Sequence, residues 1–85
     1  MKLLLAINHK EMNRFIAQNI NVDISEVADN SEELLEYLSY TKANTLVLSK
    51  YLRGTENPRV LIEEIQTVRP DIRIVYLYGR QDKDT

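Results

Sequence analysis

No cysteine occurs among the 85 residues, so disulfide scaffolds, thiol catalysis and cysteine-based zinc sites are excluded. A reducing compartment suits that absence, and a cytoplasmic location is expected. Glycine is nearly as scarce: there are two, neither in the first strand-to-helix turn. The stretch AINHKE therefore lacks the GxGxxG of a dinucleotide site, and no Walker-type phosphate loop, GxxxxGK followed by Ser or Thr, occurs. No apolar run approaches the ~20 residues of a membrane span. The opening MKLLLAIN has a short apolar run and no small-residue cleavage site, so it reads as a buried strand and not as a signal peptide.

Charge of one sign is also lacking. The formal net charge is −2. Up to Lys42 there are four basic residues (Lys2, Lys10, Arg14, Lys42) and seven acidic ones; the remaining seven basic and six acidic residues follow. Neither part is a basic patch able to neutralise many phosphates, so nucleic acid is disfavoured as a partner of this unit. What is present is a 44% apolar fraction, enough for the core of one small domain over residues 1–85.

Leu3 to Ile7 is a continuous apolar run, as expected for a strand covered on both faces. Met12, Phe15, Ile16 and Ile20 then recur at helical spacing. Val22 and Ile24 alternate with Asp23 and Ser25, which predicts an edge strand. Asn30 and Glu33 form a capping-box pattern ahead of Leu34, Leu35 and Leu38. Leu46 to Leu48 predicts a third, buried strand. Asn57-Pro58 predicts the start of a helix carrying Leu61, Ile62, Ile65 and Val68, which Pro70 stops. Ile72 to Leu77 predicts a fourth strand. The order β-α-β-α-β-α-β implies an α/β fold with a three-layer parallel sheet and right-handed crossovers. Leu5, Leu48 and Val75 are expected at its inaccessible centre.

Four stretches carry a likeness to a known family. KLLLAINHKEMNRFI, VADNSEELLEYL, LVLSKYLRG and IQTVRPDIRIVYLYG stand in the order and at the spacing of receiver-domain segments. The chain thus resembles the receiver domain of bacterial response regulators, a flavodoxin-like fold. The resemblance implies strand order 2-1-3-4, with the fourth helix, fifth strand and fifth helix missing. LVLSKYLRG is similar to the third strand and the Asp-x-x-x-Pro-Gly loop, with Ser49 at the phosphoryl-accepting aspartate, Arg53 at the proline and Gly54 at the glycine. The two metal-holding carboxylates correspond to Ile7 and Asn8, or with a one-residue slip to Asn8 and His9. The switch Ser/Thr corresponds to Tyr78. The strand that carries the usual lysine is absent.

Every matched position of the phosphotransfer site therefore differs, and Mg²⁺ wants hard anionic oxygen that these residues lack. Ser49, a neutral hydroxyl without an evident base, cannot form an acyl phosphate. The expectation is a non-enzymatic, non-phosphorylatable receiver-like module for regulation and protein interaction, with no cofactor and no metal. It is expected N-terminal to an output domain such as a ParA/MinD-like ATPase or a DNA-binding domain. A small flavodoxin-like enzyme or phospho-carrier is the alternative, with Asn8, His9, Ser49, Lys50 and Tyr78 as its available groups. The truncated sheet leaves the fourth strand at an edge and uncovers apolar surface. A homodimer or domain-swapped assembly is expected there, through Met12, Phe15, Ile74, Val75, Tyr76 and Tyr78. His9 is expected to be a solvated loop residue, Ser49 to satisfy a neighbouring backbone group, and the acidic run Asp29, Glu32, Glu33 and Glu36 to be an exposed helix face.

Overall fold

The computed structural model describes residues 1–18, 21–54 and 57–77; Ile20 and Tyr78, both assigned from the sequence above, lie outside the described residues. Among the described residues seven elements alternate: β1 (Lys2–Ala6), α1 (Lys10–Ala17), β2 (Asp23–Val27), α2 (Ser31–Leu38), β3 (Thr45–Ser49), α3 (Pro58–Val68) and β4 (Arg73–Leu77). All strand pairs are parallel, and the order is β2-β1-β3-β4. This is the α/β architecture and strand order that the sequence implies.

The helix starts follow from local chemistry. The Asn30 side chain accepts the Glu33 N–H at 2.8 Å, as a cap should. Glu33 Oε1, however, accepts from the Asp29 N–H at 2.9 Å, one residue before the cap, so the reciprocal half of the capping box is displaced. Asn57 caps α3 ahead of Pro58. At the far end, Arg69 precedes Pro70 and has left helical backbone geometry (φ −136°, ψ 78°), as a residue before proline must.

Paired residues of adjacent parallel strands share a face. One face carries Leu4, Ala6, Leu46 and Leu48, packed beneath Leu34, Leu38, Leu61 and Ile65 of α2 and α3. The other carries Leu3, Leu5, Ile7 and Val47, met by Ile16, Val22, Ile24 and Leu77. Arg69 locks the first layer from below. Its Nη1 donates to Leu38 O at 3.2 Å and Thr41 O at 2.8 Å, and its Nε to Asp71 Oδ1 at 3.3 Å. The Thr41 hydroxyl, buried, donates to Glu26 Oε1.

One expectation needs correction. Leu5 and Leu48 are fully buried, but Val75 is 40% exposed. The helical stripe of α1 is likewise only partly covered: Ile16 packs on the sheet, whereas Phe15 is 72% and Met12 39% exposed. The cause is common to both. Among the described residues α1 is the only helix on its side, it buries no residue completely, and β4 is the last strand of the described sheet. A stripe of apolar residues is buried only as far as something lies against it.

Candidate functional site

In open parallel sheets, ligands sit beyond the strand C-termini where the chain order reverses. Here that point lies between β1 and β3. After β1 the chain continues through Ile7, which is buried in the apolar layer with Leu3 and Leu5. Asn8 then takes a left-handed conformation (φ 57°), which Asn tolerates better than most residues. The turn points its amide across to the β3 loop, where Nδ2 donates to Tyr51 O at 3.1 Å. His9 is the N-cap of α1, its Nδ1 accepting the Met12 N–H at 3.2 Å. That bond places the ring proton of neutral His9 on Nε2. The ring lies 5.8 Å from that of Tyr51, so His9 is exposed as expected but has a structural task.

The β3 loop is stitched down at both ends. Ser49 is 1% exposed, and its Oγ accepts the Tyr51 N–H at 3.0 Å. Leu52 is buried beneath the loop, and its N–H donates to Ser49 O. Arg53 O accepts the Ser31 N–H at 2.8 Å, within a parallel bridge between Asn30 and Arg53. Gly54 follows with φ +84°, and a Cβ there would lie 2.3 Å from Ser31 Oγ. The loop therefore requires glycine for both backbone conformation and space.

These loops enclose a shallow cavity of about 190 Å³ lined by Asn8, His9, Lys10, Asn13, Asp29 and Arg53. Sequence reasoning placed Asn8 and Arg53 at this edge and treated Asp29 as part of a helix face; it overlooked Lys10 and Asn13. The available signal was the spacing of Asn13 from His9, which puts both on one side of α1. The residues do not fit the Mg²⁺ site of a receiver. Ile7 is in the core, Asn8 turns an N–H donor to Tyr51, Ser49 is neutral and bonded, and Asp29 is the one carboxylate in the lining. Among the described residues no group of three or more acidic or histidine side chains converges to hold a metal ion.

The residues expected at an interaction surface fall on two faces. Met12, Phe15 and Val75 belong to the α1 side. Ile74 and Tyr76 pack, half-buried, against the core under α2 and α3. Alternation along β4 separates them, since successive side chains point to opposite sides of a sheet.

No protein-family model and no curated protein matches the sequence. Solved structures do. Two are of the response regulator RcsB from Salmonella, one bound to a promoter in the presence of a phosphomimetic. Their TM-scores are 0.77 and 0.76, each at 20% identity. This chain is covered to 92% in both and spans 42% of the RcsB chains. A third is the signal receiver domain of a modulated diguanylate cyclase from Desulfovibrio desulfuricans. It has a TM-score of 0.76 at 15% identity, covering 98% of this chain and 68% of that one. At these identities the likeness defines the fold: the chain has the receiver-like, flavodoxin-like arrangement.

Proposed function

We propose that this chain is a regulatory module of the signal-receiver type that works by protein contact and not by phosphotransfer. The observation that carries this is Ser49. By the sequence resemblance it corresponds to the acceptor aspartate of receivers; it is buried, and its oxygen is engaged by the Tyr51 N–H. An acyl phosphate needs a carboxylate, and a hydroxyl held in this way has neither the charge nor a base. The module is non-enzymatic. Its signal is the availability of its surfaces to an output domain or a partner, in a bacterial cytoplasm. A DNA-binding domain is one such output, and the RcsB neighbour is itself bound to a promoter; a ParA/MinD-like ATPase is another.

Incubation with acetyl phosphate and Mg²⁺, followed by intact-mass measurement, tests the reading. No adduct is expected. Ser49→Asp should remain unmodified as well, because the metal-holding carboxylates are also missing. A hydroxylamine-labile phosphoprotein formed from the natural sequence would overturn it.

A further inference from the structure

Residues 39–44 join α2 to β3 at the end of the sheet opposite the candidate site. This one loop is tied to each of the other three described strands. The Asn44 N–H donates to Lys2 O of β1 at 3.1 Å, and Asn44 O accepts the Arg73 N–H of β4 at 3.0 Å. The Thr41 hydroxyl donates to Glu26 Oε1 of β2. Thr41 is the shared member. It is buried, and its hydroxyl oxygen also accepts the Ala43 N–H at 3.1 Å. Its carbonyl accepts from Arg69 Nη1 at 2.8 Å, and the same nitrogen donates at 3.2 Å to the carbonyl of Leu38, the last residue of α2. The end carbonyls of a helix lack intrahelical donors, so Arg69 caps α2 from beyond the far end of α3. Its Nε and Nη2 reach the Asp71 carboxylate at 3.3 and 3.4 Å. A lysine has no such planar fork. Asp71 is mostly exposed, so its ion pair adds little, and the two carbonyls carry the contact. Arg69 O in turn accepts the Ile72 N–H at 3.2 Å, just before β4. An unbroken line of polar contacts therefore runs between β2 and β4, the outermost strands of the described sheet.

We propose that residues 39–44 form a latch that couples these two strands. Glu26 and Arg69 hold Thr41 between them, so release at β2 loosens the start of β4, and the reverse. The physical reason is the shared residue. Hydrogen bonds that meet on one buried residue are not independent, because losing one frees it to leave the other. Glu26 lines an open cleft with Lys2, Asp23, Tyr40 and Lys42, so this end of the latch is reached from solvent. The regulatory consequence rests on the reading of the module as one that signals by contact: a partner held at one outer strand is sensed at the other.

Amide hydrogen exchange of the full chain, read residue by residue by NMR, tests the latch. Glu26→Ala should speed exchange about tenfold at Ile72 and Arg73, which Glu26 does not touch, the equivalent of one net hydrogen bond. Arg69→Lys should do the same at Ala43, whose N–H is held by the Thr41 hydroxyl. Thr41→Val should do both, and Thr41→Ser, which keeps the hydroxyl, neither. Glu26→Ala removes only a half-buried side chain and leaves Thr41 in place, so it carries the test by itself should Thr41→Val not fold. Ser31 and Leu52, bonded at the opposite end of the sheet, should be unchanged. At Arg73 the double variant Glu26→Ala, Arg69→Lys should add little to the larger single effect, because the latch opens once. Effects confined to the neighbours of each substitution, a uniform rise that includes Ser31 and Leu52, or effects that multiply in the double variant would overturn the proposal. None of these measurements involves a phosphoryl donor. An adduct with acetyl phosphate defeats the function above, whereas absent coupling defeats only the latch.

Discussion

At Ser49 a hydroxyl closes the end of β3. Its burial and its bond to the Tyr51 N–H make it a tie within the β3 loop. Ser49→Ala should leave that N–H unsatisfied and cost about 1–3 kcal/mol, measured by urea denaturation. Five residues on, Gly54→Ala combines a left-handed backbone with a contact 2.3 Å from Ser31 Oγ. It should destabilise by more than the ~1 kcal/mol of an ordinary Gly-to-Ala strain. Tyr37 and Tyr40 carry an electrostatic signature of the acidic α2 face. Carboxylates, Glu33 first, push the Tyr37 phenol above its ordinary value of 10.0; burial and then Glu36 do the same for Tyr40. Because the folded state holds these protons more tightly, the unfolded chain ionises first as pH rises. Stability should therefore fall as pH climbs past 10.0 toward the raised folded-state values. Ultraviolet titration should show Glu33→Gln bringing the Tyr37 transition back toward the ordinary one.

At the scale of elements the two faces of the sheet behave differently. β3 is covered on both, by α2 and α3 on one side and α1 on the other, and all five of its residues are buried. β4 has the same kind of sequence and is not. Leu48→Ala should cost about 2–5 kcal/mol, a large share of what so small a domain has. Val75→Ala, on the thinly covered face, should cost less than about 1 kcal/mol. Chemical denaturation of the two variants side by side checks the contrast, and similar losses would mean that Val75 is covered.

At the scale of the whole molecule, the α1 side presents Phe15, Met12 and Val75 to solvent beside the edge strand β4. Apolar surface beside a sheet edge favours burial against another chain. A two-fold self-association through this face is the expected solution behaviour. Light scattering over a dilution series should show a concentration-dependent mass for the natural chain. Phe15→Glu and Val75→Lys should shift it to the monomer without loss of helical signal. A constant monomer mass for the natural chain would show that this face does not self-associate.

The alternation of short apolar runs with helical stripes, the caps at Asn30 and Asn57 and the stop at Pro70 were all legible in the sequence, because each depends on neighbours within a few residues. The expectation that Ser49 cannot accept a phosphoryl group also comes from the sequence, since it rests on residue type alone; the acetyl phosphate experiment is its test. What the tertiary structure decided was coverage and convergence. Val75 reads as core by composition, yet its exposure depends on which helix lies over an edge strand. Ile74 and Tyr76 read as surface partners of Val75, yet strand alternation turns them toward α2 and α3. Lys10, Asn13, Asp29 and Arg53 carry no common motif. They share one cavity because the parallel crossovers bring three loops to the same end of the sheet, and no local pattern records a meeting of residues 43 positions apart, such as Asn8 and Tyr51.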